Sequence, residues 1–247
     1  MRFRRMNPVY RYADYGNATV YDGDAASYSG VVTKTSILLG IIAVVAFYAN
    51  IRLQAFGFNN GLIITLILAP IIAIIAVIVA HRRPEVAMFA SIVYALMEGL
   101  FIGVISTIYA IYFGDQIVQM AVLSTFGVLF GMLFLYSTGI IRVGAFFRRL
   151  MFSLLIGLLF TSIIMMIVFL FAGSFVGGFE NIYFAVVVIS VVVSSLYLLI
   201  DFDNITKFVE AGAPKNMEWS LALGLVVTIV WLYIELLRLF AIIMDRR

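Results

Sequence analysis

The sequence predicts an all-α integral membrane protein with seven transmembrane helices, and its composition, apolar runs and charge placement each indicate this class. Hydrophobic residues make up 64% of the 247 residues and charged residues only 12%, whereas soluble domains carry about 25% charged residues. The mean hydropathy is +1.14. So few charges cannot cover a water-exposed surface, so we expect lipid to be the main solvent around a single membrane domain.

Seven apolar runs are each long enough to cross a bilayer, which takes about 20 helical residues. A short polar turn from Gln54 to Gly61 divides the first two runs, and the alternative is six spans with one re-entrant or interfacial segment. The fifth run ends in a loop that contains Gly173, Gly177 and Gly178. The predicted spans cover residues 35–54, 61–80, 86–112, 117–138, 150–174, 181–203 and 217–243.

The basic residues predict the orientation of these spans. They concentrate in an N-terminal segment, residues 1–32, and in every second connection, whereas the other connections carry only Arg52. This is the positive-inside pattern, so we predict a multi-pass protein of the cell (plasma) membrane with a cytoplasmic N-terminus. The seven-helix domain then covers residues 33–247 and its C-terminus lies outside, although Arg246 and Arg247 do not fit the pattern. The residues that set it are Arg2, Arg4, Arg5, Arg11, Lys34, Arg82, Arg83, Arg142, Arg148, Arg149, Lys207 and Lys215.

Small residues four apart predict two places of close helix packing. Gly99 and Gly103 form such a pair in the third span, and Gly127 and Gly131 form another in the fourth. Pro70 is expected to kink the second span.

The chain carries little that indicates an enzyme. It has no cysteine and a single histidine, His81, which lies beside two arginines at a predicted cytoplasmic edge. Neither a His-Glu-x-x-His motif nor a Gly-x-Ser-x-Gly elbow is present. We therefore predict no catalytic residues, no cofactor and no nucleic-acid binding.

Four ionisable residues lie inside the spans: Glu98, Asp201, Glu235 and Arg238. A charge at the bilayer centre costs at least about 2.5–3.5 kcal/mol, so it normally faces a partner or water. Glu235 and Arg238 are three residues apart and can neutralise one another. Glu98 has no oppositely charged partner on its own helix, which favours an inter-helix or functional role.

Spacing along the helices predicts how these residues are arranged. At about 1.5 Å per residue, Glu98 lies about 20 Å beyond Glu85, and Glu235 lies about 25 Å beyond Glu218. Glu85 and Glu218 are taken to mark the entrances of the third and seventh spans. Glu98 and Glu235 are therefore expected to meet in the outer half of the membrane, together with Arg238. Asp201 lies near the inner mouth, and Asp203 is interpreted as a solvated charge at the helix end.

Intramembrane carboxylates of this kind suit a cation pathway. Carboxylate oxygens are the hard ligands that Ca²⁺ prefers, and acidic groups that line a pore select cations. Two neighbouring carboxylates also share a proton, so that such a pair responds to pH. A transient calcium site at Asp201, Glu98 and Glu235 is therefore a candidate, and a proton-coupled transporter would use the same acids.

Several motifs resemble the transmembrane Bax-inhibitor-motif family (Bax inhibitor-1/YccA-like). The stretches "SLYLLIDFDNI" and "LYIELLRLF" resemble the paired final helices of that family. The stretches "NPVYRYAD", "YALMEGLFIG" and "AGAPKNMEW" resemble one bacterial branch. The resemblance extends over the whole chain in the number and order of spans.

This resemblance implies a fold with six helices around a central seventh and a pH-sensitive Ca²⁺ leak. In the family, aspartates on the sixth and seventh helices pair and sense protons. Asp201 matches the first, whereas the second falls on Glu235 or on Thr228, depending on which motif is aligned. Counting from a fold near Gly212 places Thr228 about a turn and a half, and Glu235 roughly three turns, beyond the level of Asp201.

The resemblance also implies an alternative function. Some relatives modulate a membrane protease and others suppress cell death, so the chain is alternatively a non-transporting regulator that binds membrane proteins. That function would lie in the N-terminal 30 residues and would need no acids at lipid depth. In either case we expect a monomer, because the fold encloses its own central helix.

Overall fold

The computed structural model describes residues 24–57, 60–172 and 179–246, which are helical nearly throughout. The seven long helices of this described part are each long and apolar enough to cross a membrane, and this confirms the predicted fold class. The helices are α1 (Tyr28–Phe56), α2 (Asn60–Arg82), α3 (Ala87–Phe113), α4 (Gln116–Ser137), α5 (Ala145–Ala172), α6 (Phe179–Glu210) and α7 (Met217–Asp245). Predicted features that lie outside the described residues are Arg2, Arg4, Arg5, Arg11, Gly173, Gly177, Gly178 and Arg247.

The first two apolar runs form separate helices, each long and apolar enough to cross a membrane, which favours seven spans over the alternative with six. Gly57 ends α1 in the left-handed region, with a φ of 66°, and its N–H donates to the carbonyl of Leu53 at 2.9 Å. Glycine adopts this conformation without steric cost. Helix α2 begins again at Asn60 and continues through Pro70 to Arg82.

Helices α1 and α6 extend about two turns beyond their apolar runs because polar contacts stabilise the added residues. Helix α1 begins at Tyr28, inside the predicted N-terminal segment, where Ser27 caps it by accepting a 3.0 Å hydrogen bond from the N–H of Gly30. Helix α6 continues to Glu210, and Lys207 donates to Asp203 one turn away at 2.5 Å. Hydropathy alone ends a helix where the charges start, whereas i,i+4 pairs allow it to continue.

Helix α7 lies at the centre of the bundle. It contacts α1, α2, α3, α4 and α6, and apolar side chains along most of its length are buried in the main core cluster. Among the described residues, α5 contacts α6 alone, and most of its large apolar side chains are exposed to the surroundings. The six surrounding helices are thus unequal, with α5 packed on the outside against α6.

One glycine pair makes a close helix contact and the other does not. A Cβ atom built on Gly103 would lie 2.6 Å from the carbonyl oxygen of Ala46, and one on Gly99 would lie 2.8 Å from the Cβ of Val45. The backbones of α1 and α3 therefore approach as closely as the motif predicts. Gly127 and Gly131 are exposed, and no described atom lies within 4 Å of a Cβ at either position.

A buried carboxylate ties the N-terminal end of α1 to the start of α7. We call the bundle end at which α1 begins the inner end, following the predicted orientation, and the opposite one the outer end. Glu218 is 1% exposed and forms an ion pair with Lys34. The backbone N–H and the hydroxyl of Ser27 both donate to its Oε1 atom, at 2.8 and 3.1 Å. Gly30 packs directly on this carboxylate. We call Ser27, Gly30, Lys34 and Glu218 the inner clamp.

Backbone contacts beside the inner clamp extend this connection. The N–H of Ala26 donates to the carbonyl of Ala213 at 2.7 Å, and the N–H of Lys215 donates to the carbonyl of Asp24 at 3.1 Å. The side chains of Lys215 and Asp24 also form an exposed ion pair at 2.7 Å. The segment before α1 is therefore attached to the turn that joins α6 to α7.

Candidate functional site

Helices α6 and α7 form an antiparallel hairpin that holds most of the intramembrane polar residues. The rings of Tyr197 and Trp231 lie 5.9 Å apart, and the Thr228 side chain faces the carboxyl group of Asp201. Both contacts give the same register for the two antiparallel helices. Residues that lie level with each other have numbers that add to 428 or 429. Asp201 is therefore level with Thr228, and the interval predicted by counting from Gly212 is too long.

This register shows which residue of α7 lies opposite Asp201. Thr228 lies against it, whereas Glu235 is seven residues further along α7, an axial distance of about 10 Å. Of the two motif alignments, the one that selects Thr228 agrees with the geometry. The hydroxyl of Thr228 itself donates to the carbonyl of Gly224 at 3.4 Å. The side chain opposite Asp201 is thus neutral.

The polar residues of the hairpin lie on one stripe of each helix. On both helices they recur at intervals of three, four or seven residues, which keeps side chains on one helix face. By the register above, Ser194 is level with Glu235 and Ser190 is level with Arg238. We call this set the polar seam, and its members are Tyr183, Ser190, Ser194 and Asp201 on α6 and Thr228, Glu235 and Arg238 on α7.

Asp201 is the least satisfied member of the polar seam. Its Oδ2 atom is inaccessible and has no hydrogen-bond partner among the described residues. The positive charge of Arg148 on α5 acts on it from the inner side. A buried carboxylate oxygen without a partner costs free energy, and a proton, a water molecule or a cation would each remove that cost.

Glu235 is fully partnered. It is 6% exposed and forms the ion pair with Arg238 that the spacing of three residues predicts, at 3.2 Å. Its Oε1 atom also accepts a 3.2 Å hydrogen bond from the indole N–H of Trp231. Arg238 reaches a cavity of about 320 Å³ at the outer end, which Tyr109 and Tyr183 also line. The outer end of the polar seam therefore opens into this outer cavity.

Glu98 does not join Glu235, so the predicted outer group of acids is wrong. Ser91 donates to the carbonyl of Trp219 at 3.4 Å, and the hydroxyls of Ser106 and Tyr233 lie 2.7 Å apart. Helices α3 and α7 run parallel, and a residue of α7 has a number 127 or 128 higher than the residue of α3 beside it. Glu98 is therefore level with residues 225 and 226. Glu235 lies about 14 Å further outward. The prediction failed because Glu218, taken to mark the entrance of α7, is buried in the inner clamp. By this offset it lies about 8 Å deeper than Glu85, which was taken to mark the entrance of α3.

Glu98 also lies on the opposite side of α7 from Asp201. The α3-facing residue Tyr233 follows Thr228 by five positions, a rotation of about 140° around the helix. Glu98 is 8% exposed and forms no hydrogen bond or ion pair with another described residue. Within the described ranges, no three acidic or histidine side chains come together as a metal-binding group. Glu98, Asp201 and Glu235 are therefore not brought together, because α7 lies between Glu98 and Asp201, and Glu235 lies about 10 Å further outward than Asp201.

Asp203 has a different role from the one predicted. It forms ion pairs with Arg148 at the start of α5 and with Lys207 on its own helix, and it is only partly exposed. It is therefore the main polar connection between α5 and α6 rather than a solvated end charge. Sequence reasoning missed it because the partner comes from another helix, and it missed the inner clamp for the same reason.

The family model described as "Bax inhibitor 1 like" matches residues 7–245, which is nearly the full sequence. No curated protein matches the chain. The bacterial branch that the motifs suggest stays a prediction. The length of the match, together with the seven-helix architecture, leads to one conclusion: this multi-pass membrane protein belongs to the Bax inhibitor 1 like family.

Proposed function

We propose that the protein is a pH-sensitive leak channel for cations, with Ca²⁺ as the physiological ion, and that the polar seam is its pathway. The observation that supports this most is the buried Oδ2 atom of Asp201, which lacks a partner among the described residues. A purely structural role would favour a satisfied or neutral side chain at this depth. A carboxylate that exchanges protons and ions uses an unsatisfied oxygen.

The members of the polar seam have distinct proposed roles. Asp201 binds the entering cation or a proton from the inner side, and the Thr228 hydroxyl oxygen supplies a neutral ligand beside it. Glu235 is the acid on the outer side, and Arg238 holds it in place. Protonation of Asp201 removes its charge and therefore its attraction for the cation. A single chain suffices, because helices of that chain surround α7.

Glu98 is proposed as a second titrating acid outside the polar seam. It is buried and has no partner among the described side chains, so its charge is free to change without breaking an ion pair. Because it lies on the other side of α7, we expect Glu98→Gln to alter the flux less than substitutions in the polar seam do. The rate of Ca²⁺ entry into proteoliposomes, measured for Glu98→Gln and for the polar-seam variants, tests this difference.

Asp201→Asn is expected to remove most of the pH dependence of the flux. One carboxyl changes its charged fraction by at most about tenfold per pH unit, and asparagine has no proton to exchange. The measurement is the initial rate of Ca²⁺ entry into proteoliposomes that contain an indicator dye, across a series of pH values. Wild-type flux should exceed that of empty vesicles and vary with pH, whereas the flux of the variant should vary much less, with Glu98 accounting for the remainder.

Glu210→Gln is the matched control, because Glu210 is an exposed acid at the inner end of the same helix. It should keep the wild-type profile. If wild-type protein gave no flux above empty vesicles at any pH, the channel proposal would be rejected. A non-transporting regulator would then be the better explanation.

A further inference from the structure

An aromatic pair interrupts the polar seam between its two acids. Tyr197 precedes Asp201 by one turn, and Trp231 lies between Thr228 and Glu235 on α7. Their rings meet edge to face, 5.9 Å apart at 65°. The two rings occupy the polar seam at this level, so an aromatic layer separates Asp201 from Glu235.

Buried apolar side chains of α5 and α6 pack around the aromatic pair. Met151 of α5 and Val193 and Ile200 of α6 form a small buried cluster, against which Tyr197 and Trp231 pack. Apolar constrictions exclude water and thereby block ions, because an ion that enters them loses its hydration shell. The layer therefore has the composition of a closed gate.

Trp231 is held in this position by the outer acid. Its indole N–H donates to Oε1 of Glu235 at 3.2 Å, and Glu235 is itself fixed by Arg238. Tyrosine or phenylalanine at position 231 would fill part of the volume, but would lack a donor at this point. The position of the Trp231 ring therefore depends on the carboxylate of Glu235.

We propose that Tyr197 and Trp231 form the gate of the pathway, and that the hydrogen bond from Trp231 to Glu235 holds the gate closed. This inference rests on the proposed function, since a gate requires a pathway. It assigns to Trp231 a role beyond packing. The gate separates Asp201, on its inner side, from Ser194 and Glu235 on its outer side.

Flux measurements test the gate directly. At the pH where wild-type protein leaks least, we expect Trp231→Ala to raise Ca²⁺ entry by about tenfold or more. Trp231→Phe keeps a ring and loses the donor, so it should give an intermediate increase. Phe202→Ala is the matched control, because Phe202 pairs with Tyr136 at the same 5.9 Å distance but packs towards α4. It should leave the flux unchanged.

Single cysteines test the gate without relying on flux, since the natural chain contains no cysteine. Ser194→Cys lies on the outer side of the aromatic pair and Thr228→Cys on the inner side. A membrane-impermeant thiol reagent, applied to intact cells or to inverted vesicles, should reach each cysteine from a different side. Adding Trp231→Ala should allow the reagent to reach both cysteines from the same side.

The two readouts separate failure of the gate from failure of the channel. In one outcome, the thiol reagent reaches the two cysteines from different sides and Trp231→Ala abolishes this difference, while no variant conducts Ca²⁺. That result would support the constriction and reject the proposed function. Access to both cysteines from one side while Trp231 is present would overturn the gate even in a conducting protein. Wild-type flux and wild-type access in both Trp231 variants would overturn it as well.

Discussion

Gly103→Leu is expected to force α1 and α3 apart and to destabilise the whole bundle. Even a methyl group at position 103 would lie 2.6 Å from the carbonyl oxygen of Ala46 and 2.7 Å from the Cβ of Ala49. The first of these atoms belongs to the backbone and cannot rotate away. Overpacking typically costs about 1–3 kcal/mol, and a clash with a helix backbone should lie at or above the upper end. Thermal unfolding in detergent, followed by size-exclusion chromatography, measures the loss.

The expected loss includes a polar contact. Asn50 of α1 donates to the hydroxyl of Thr107 at 2.9 Å, one turn beyond Gly103. Separation of the helices would break this hydrogen bond at lipid depth, where water does not replace it. Gly103→Ala should therefore already be unstable, although less so than the leucine variant.

Gly131→Leu is the matched control. Gly131 belongs to the second glycine pair, is exposed, and would meet no described atom within 4 Å of a new Cβ. Leucine is a better helix former than glycine by roughly 0.8 kcal/mol, so this variant should be as stable as wild type or slightly more so. Equal damage from both leucine variants would contradict the proposed α1–α3 contact.

These two glycine pairs also illustrate what the sequence could predict. Both have the same spacing inside an apolar helix, and the spacing shows only that a helix has a smooth face. Which neighbour, if any, packs on that face depends on how each helix is rotated within the bundle. In this chain α3 turns its glycines towards α1, whereas α4 turns its own towards the surroundings.

Helix number and type were predictable for a related physical reason. Each span satisfies its own backbone hydrogen bonds and needs only sufficient length and apolar character, so no knowledge of neighbours is required. Partners of the charged residues depend on register and rotation between helices. Glu235 and Arg238 were paired correctly because both lie on one helix, whereas Glu98, Asp203 and Glu218 were misjudged because their surroundings come from other helices.

Glu218→Ala is expected to cause the second large loss of stability. Glu218 is buried and accepts hydrogen bonds from Ser27 while it pairs with Lys34. Removing one partner of a buried ion pair typically costs about 3–5 kcal/mol, because the other charge is left uncompensated. Lys34 is partly accessible, which places the expected value near the lower end. Glu218→Gln keeps an acceptor for Ser27 and should lose less.

A double variant separates the ion pair from the remaining contacts. Lys34→Met combined with Glu218→Gln leaves no unpaired charge, so it should be more stable than Glu218→Ala alone. Amide hydrogen exchange at Ser27 and Gly30 reports the clamp locally. We expect fast exchange at both amides in Glu218→Ala, and protection close to wild type at Gly30 in the double variant.

Asp24→Ala is the control for the neighbouring surface contact. Lys215 holds the pKa of the Asp24 carboxyl below its usual range through a hydrogen bond and its charge, so the pair persists at neutral pH and weakens only as the pH falls through that lowered pKa. Both side chains are exposed, and exposed pairs contribute little. The variant should therefore unfold at the wild-type temperature at neutral pH. A loss as large as that of Glu218→Ala would show that the surface ion pair of Asp24 and Lys215, rather than the buried carboxylate, attaches the N-terminal segment to the start of α7.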